Sequence, residues 1–209
     1  SILNMNLDIF KQKYEENGTC YLTKEYSPFS EEDCLTIEKM CKDVPKEFIE
    51  IGDAGEPNHL WVGRFQTDVK SPKIVNKKFS KDVMETLNNN TVMSFVSNIL
   101  GISSKLFIRR VQFNKIEKNC FIGYHLDTDS NPDYIAACVI QFGEDYKGGL
   151  YRVYQNKVDF IDYAADRFSL IISNCSYPHE VTKVIDGSRQ SLVFFFSEHD
   201  GINKQSEKP

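Results

Sequence analysis

Gly123-Tyr124-His125-Leu126-Asp127 is the stretch around which the chain reads most clearly, and Pro178-His179-Glu180 and Arg189-Gln190-Ser191 answer it further on. His125 and Asp127 stand two positions apart. On an extended segment that spacing sends both side chains to one face, because strand side chains alternate with period two. A second imidazole, His179, delivered by a distant strand would complete two histidines and one carboxylate, a set that binds a non-haem Fe(II) and leaves its remaining positions open. Arg189 follows His179 by ten residues (189 − 179 = 10), which suits a hairpin return or an adjacent strand. It would bring a permanent cation near the metal, able to hold a carboxylate by two parallel hydrogen bonds.

Outward from these residues, the chain beyond 105 is a succession of short β runs divided by turn residues. Residues 106–113, 121–126, 134–142, 150–154, 158–162, 168–173, 179–185 and 191–197 make eight candidate strands, the pattern of a double-sheet jelly roll. In that fold His125 and Asp127 close the second strand, His179 opens the seventh and Arg189 leads into the eighth, so the metal would lie at the open mouth between sheets.

The first half is helical in texture. Ile9, Phe10 and Tyr14 recur at helical spacing over 8–16 before Gly18, and a β-like run covers 19–23. Ser30 precedes three acids, Glu31, Glu32 and Asp33, and then Cys34, Ile37, Met40 and Cys41 repeat every three or four residues until Pro45. Strands over 48–51 and 60–65 flank a turn cluster, and 69–79, with four lysines, reads as an exposed loop. Ser80 is placed to cap a helix through Met84 and Leu87, and another runs from Thr91 to a stop at Gly101. Helices buttressing one sheet make the expected class α+β, one domain over 1–209 with support over 1–104 and a jelly-roll core over 105–200.

The order His-x-Asp, a long gap, His, then Arg-x-Ser resembles the Fe(II)- and 2-oxoglutarate-dependent oxygenases, most nearly their prolyl-hydroxylase-like branch. Gly148-Gly149-Leu150-Tyr151 resembles that family's strand opening, and the run from Phe168 to Ser173 is similar to the strand that leads to its second histidine. The resemblance implies a double-stranded β-helix and metal ligands His125, Asp127 and His179. It also implies Fe(II), 2-oxoglutarate and O2 as cofactor and co-substrates. Arg189 and Ser191 would hold the far carboxylate of 2-oxoglutarate. Gln141 stands where relatives often carry a tyrosine that contacts the same molecule, and Asn114, or Gln112, is a further candidate contact. The implied reaction hydroxylates an unactivated C–H bond of an amino acid, peptide or small metabolite with release of succinate and CO2. Aspartate at 127 favours hydroxylation over halogenation, for which that position is small. A binding or sensing module that keeps the fold and metal without turnover is the alternative.

A net charge of −5 argues against a general binder of phosphate backbones. No run of eighteen apolar residues and no charged-then-apolar leader is visible, so the expectation is a cytoplasmic protein without a membrane partner. The six cysteines form no Cys-x-x-Cys pair and read as core thiols. His59 and His199 read as ordinary core or surface groups. Asp129 is a turn cap or a substrate contact. Arg109 and Arg110 read as an exposed pair on an edge strand, with pocket lining as the alternative. Trp61 reads as core and Arg64 as surface, with shaping of the substrate entrance as the alternative for both.

Overall fold

The α+β arrangement is present in the computed structural model, which describes residues 2–143 and 145–207. The helices are α1 (Ile2–Asn17), α2 (Glu31–Asp43), α3 (Lys77–Leu87) and α4 (Asn90–Leu100). The strands are β1 (Thr19–Leu22), β2 (Lys46–Ile51), β3 (Pro57–Asp68), β4 (Pro72–Ile74), β5 (Phe107–Ile116), β6 (Phe121–His125), β7 (Ala136–Phe142), β8 (Tyr146–Gly148), β9 (Tyr151–Tyr154), β10 (Phe160–Tyr163), β11 (Leu170–Asn174), β12 (His179–Val181), β13 (Val184–Gly187) and β14 (Arg189–Ser197). They pair antiparallel in the order β1-β11-β7-β14-β5-β3-β6-β12-β9-β10, with β2 and β4 attached to β3 and with β8 and β13 paired separately. This is a jelly roll whose corner is β3, which pairs β5 through residues 61–66 and β6 through Asn58 and His59.

Alternation along the strands of the larger wall serves two interiors. Val111, Phe113, Cys138, Ile140, Leu192 and Phe194 face the helices and meet Cys34, Ile37, Val83, Leu87, Val96 and Ile99. The interleaved Ile116, Val139 and Ile171 face the smaller wall, where Val153, Val181 and Val184 meet them. Each such side chain, once fully buried, contributes roughly 1.5–3 kcal/mol. The apolar half of every alternation therefore fixes register, and the polar residues left on the inner face define the site.

The N-terminus of α2 follows its sequence signature. Ser30 Oγ accepts from the Asp33 amide at 3.0 Å, and Asp33 Oδ2 accepts from the Ser30 amide at 3.2 Å. Ser30→Ala is expected to lower stability by about 1 kcal/mol, read by urea denaturation. A variant as stable as the parent would show that this cap contributes nothing.

Several expectations are corrected. Helix α1 begins at Ile2, well before residue 8. The expected loop over 69–79 holds β4 and the first turn of α3, because Lys77 and Lys78 lie on the solvent side of a helix. Ser80 is inside α3 instead of capping it; its hydroxyl donates to the carbonyls of Phe65, at 3.2 Å, and Asn76, at 3.1 Å, and so fastens helix to sheet. The strand expected over 179–185 is divided into β12 and β13. Between them Thr182 Oγ1 accepts from the Leu150 amide at 2.9 Å. Strand β5 is central, between β14 and β3, so Arg109 and Arg110 are not an edge pair. Among the described residues no helix is long and apolar enough to cross a membrane.

Candidate metal centre and its cavity

Strand β6 approaches β3 so closely that a Cβ on Gly123 would lie 2.5 Å from the Pro57 carbonyl oxygen. Glycine is the residue that permits this crossing. Two positions later His125 ends β6 directly opposite His179, the first residue of β12, with ring centroids 4.3 Å apart. Asp127 is not on the strand, as expected, but opens a short 3-10 turn, Asp127–Asp129. Leu126 stays extended at φ −108 and ψ 130, which carries the alternation one step past the strand end and returns Asp127 to the face of His125. Asp127 Oδ1 is 3.2 Å from His125 Nε2, and Oδ2 is 3.7 Å from His179 Nε2. One ligand atom from each of the three residues lies within 4.8 Å of the others.

The electrostatics of this cluster favour a cation at its centre. His125 Nδ1 is 2.8 Å from the Gly123 carbonyl, which assigns the proton to Nδ1 and turns the Nε2 lone pair toward Asp127. A lone pair and a carboxylate oxygen then face each other at 3.2 Å, an arrangement that a proton or a metal ion must bridge. Burial pushes the His179 imidazole down to about 4, so it is neutral at pH 7 as a ligand must be. Burial alone would raise Asp127, but His179 and His125 outweigh it and hold the carboxyl down to about 2. Burial would likewise lower His125, yet the hydrogen bond and charge of Asp127 leave it above its ordinary value. Asp127 Oδ2 is buried without a hydrogen-bond partner. A divalent ion among the three groups satisfies all of these atoms, so the residues fit the metal.

Beside the cluster, Arg189 is buried to 2% exposure at the start of β14. Its Nη1 donates to Ser191 Oγ at 3.2 Å, while Nε and Nη2 are buried without an acceptor. No carboxylate of the described residues pairs with it, and a lone buried guanidinium is costly. Two donors on one guanidinium edge are of the kind that fit a carboxylate. Gly149, at φ +58, keeps the neighbouring chain off the arginine, since a Cβ there would come within 3.3 Å of Arg189 Cδ. Ser191 pairs in register with Gln141 on β7 and with Asn114 on β5, so the three form one row across three strands. Asn114 and Ser191 line the cavity with the metal cluster. Gln141 stands behind them, its amide nitrogen donating to the Phe142 carbonyl at 2.8 Å and its Oε1 without a partner.

Tyr151 was not singled out by the sequence. Its ring stacks on His179 with centroids 5.2 Å apart, and its buried hydroxyl has no partner in the cavity. The alternation Tyr151, Val153 along a strand opened by Gly148-Gly149 was the signal available for it.

A second polar centre lies behind the turn that carries Asp127. Asp68 is held below its ordinary value: burial would raise it, but hydrogen bonds from Arg109, Asn131 and Tyr134 prevail. Arg109 takes both carboxylate oxygens, at 2.8 and 3.2 Å, and also donates to the His199 carbonyl at 2.9 Å. Asn131 and Tyr134 bind Asp68 Oδ2 at 2.9 and 2.7 Å, and Asn131 is itself bonded to the Asp127 carbonyl. Asp68 thus ties β3, β5, the turn bearing Asp127 and the C-terminal segment together. Arg109 is therefore core, while Arg110, its neighbour on the other face, lines the cavity with Arg64. Trp61 lies partly exposed on the outer face against Phe48, not in the core. Asp129 is exposed in the turn, its amide bonded to Leu126. His59 rests on the Phe121 ring, away from the cluster. All six cysteines are free, five of them buried.

The profile of the 2OG-Fe(II) oxygenase superfamily matches residues 111–197. A crystal structure of an oxidoreductase of the 2OG-Fe(II) oxygenase family from Burkholderia pseudomallei is 32% identical over 95% of this chain and 93% of its own, with a TM-score of 0.88. A prolyl hydroxylase from Trichoplax adhaerens, solved with a hypoxia inducible factor peptide fragment, superposes with a TM-score of 0.68 at 11% identity, covering 98% of this chain and 93% of its own. The non-haem alpha ketoglutarate dependent epimerase SnoN of nogalamycin biosynthesis superposes with a TM-score of 0.70 at 7% identity over 93% of this chain and 81% of its own. No curated protein matches the chain in sequence.

Proposed function

Because this chain belongs to the 2OG-Fe(II) oxygenase superfamily, which uses Fe(II), 2-oxoglutarate and O2, we propose that it hydroxylates a C–H bond of an amino acid, peptide or small metabolite. The observation that carries this reading is the pairing, in one cavity, of an unsatisfied Asp127 between two histidines with an unsatisfied buried Arg189. A site that held only a metal would have no use for a buried guanidinium without a partner. His125, Asp127 and His179 would hold Fe(II). Arg189 with Ser191 would hold the distal carboxylate of 2-oxoglutarate, with Asn114 and the Tyr151 hydroxyl as the further polar contacts, while Gln141, which does not line the cavity, would support Ser191 from the neighbouring strand. Bound iron supplies oxidising chemistry in which R–H, 2-oxoglutarate and O2 become R–OH, succinate and CO2.

The protein's own part is positional. Gly123 holds the His125 tautomer, Tyr151 packs against the His179 ring, and Leu60, Val139 and Val181 keep the inner wall apolar. Superposition on an epimerase shows that this fold also serves other oxidative outcomes, so the test must identify the product. Protein loaded with Fe(II) should release succinate and yield a product heavier by one oxygen atom, read by mass spectrometry. Succinate release no higher than from His125→Ala protein would favour a metal-binding module without turnover. Arg189→Gln is expected to raise the KM for 2-oxoglutarate by at least about tenfold, on charge-assisted bonds of roughly 1.5–3 kcal/mol. An unchanged KM would move the co-substrate elsewhere in the cavity.

A further inference from the structure

Resting on that reading, a second cation in the cavity bears on the substrate. Arg110 and Arg189 both line the space that contains the metal cluster, a cavity of about 750 Å³ including its open mouth. They enter it from opposite ends. Arg189 pairs with Ile116 on β5, and Arg110 lies six residues further along that strand (116 − 110 = 6), roughly 20 Å away at ~3.3 Å per residue. The two guanidinium groups thus start from well-separated backbone positions.

The environment of Arg110 is that of a prepared anion site. Its side chain is 15% exposed, and its guanidinium carbon lies 4.4 Å from the centroid of the Phe195 ring. Phe195 in turn stacks on Tyr134, centroids 4.8 Å apart and planes at 17°. This aromatic pile fixes the plane of the guanidinium. Nη1 donates to Asp53, whose side chain is 58% exposed, while Nε is buried with no acceptor. Buried donors without partners are rare in folded proteins, and the residue that carries this one lines the cavity. Among the other charges that act on Arg110, Asp127 belongs to the metal cluster, and the rest are paired. Glu56 accepts from Asn58 Nδ2 at 2.9 Å and from the Ala54 amide at 3.1 Å, and Arg64 pairs with the exposed Glu47.

We propose that Arg110 is a substrate-binding residue that holds a carboxylate through Nε and Nη2, so that the substrate is a small organic acid, amino acids included. The two remaining donors on that edge match a carboxylate in plane, and Asp53 shows that the guanidinium accepts one. Gln112, two residues along β5 on the same face, lines the cavity as well.

The test uses protein loaded with Mn(II) and 2-oxoglutarate, so that binding is read without turnover. The probes are the protein L-amino acids and their N-acetyl derivatives, each paired with its primary amide, with acetylated dipeptide acids as a peptide arm; affinity is measured by calorimetry or thermal shift. At least one acid should bind ten times or more tighter than its amide, and Arg110→Gln should erase that difference. Arg110→Lys, which keeps the charge but loses the planar fork, should fall between. Folding of each variant is checked by circular dichroism and by the thermal shift that Mn(II) with 2-oxoglutarate produces. If no acid outbinds its amide, or if Arg110→Gln keeps the preference, the proposal is overturned while the oxygenase reading stands. If wild-type protein shows no shift with Mn(II) and 2-oxoglutarate, it is the oxygenase reading that fails. A preference confined to dipeptide acids would overturn the small-acid assignment.

Discussion

Asp127→Asn is expected to lower succinate release by more than about 100-fold, beyond the 10–100-fold that follows loss of an outer partner of a metal site. The substitution keeps the shape of the side chain and removes its charge. The carboxylate sits 3.2 and 3.7 Å from the two imidazole nitrogens and is the only anion in the cluster, so two neutral histidines and an amide would be left to hold a doubly charged ion. Metal content measured alongside activity separates the causes: the account expects both to fall together. A variant within about tenfold of the parent in turnover, with full metal content, would show that Asp127 is no more than an outer partner.

The second large effect is on stability. Arg109→Ala is expected to cost about 3–5 kcal/mol, because it strands a buried carboxylate. Arg109 and Asp68 are 1% and 0% exposed in their side chains, and the arginine also serves the His199 carbonyl. At ~2–4 °C per kcal/mol for a chain of this size, the midpoint of thermal unfolding should fall by roughly 6–20 °C. The pH dependence has a definite sign. Asp68 is held below its ordinary value in the folded state, so its contribution is present above the unfolded value of about 3.9 and is lost as pH falls through the folded one. Acid unfolding of Asp68→Asn protein should accordingly be less steep below about pH 4. A loss under about 1 kcal/mol in Arg109→Ala would mean that the ion pair behaves as an exposed one. Because Asn131 links Asp68 to the turn bearing Asp127, the same variant should also weaken metal retention.

What the sequence disclosed and what it hid follow from the range of the interactions. The convergence of His125, Asp127 and His179, the proposed metal ligands, is legible because two of them obey local alternation and the third opens a strand that pairs with the first in register. The shared face of Arg189 and Ser191 is legible for the same reason, as both lead one long strand. The jelly roll was visible in strand spacing, although β8 was missed: three residues, Tyr146 to Gly148, are too few to show a period. The sequence around Arg109 and Arg110 has the look of an edge strand, yet β5 is central. Whether a strand is central depends on partners as distant as β3 and β14, which no local pattern records. Asp68 cannot be recognised from the sequence, since its partners Arg109, Asn131 and Tyr134 arrive from segments 41 to 66 residues away. Tyr151 lies within the run Gly148-Gly149-Leu150-Tyr151, but its contact with His179 comes from pairing with another strand.

The claim on which the rest depends is that three side chains and one guanidinium act on a single iron and its co-substrate. Anaerobic titration of the wild-type protein with Fe(II) and then 2-oxoglutarate tests it most directly, by the weak visible charge-transfer band of the bound pair. The account predicts a saturable band in wild type that is absent from Asp127→Asn and that needs far more 2-oxoglutarate in Arg189→Gln. A wild-type protein without the band, or an Asp127→Asn variant that retains it unchanged, would contradict the account.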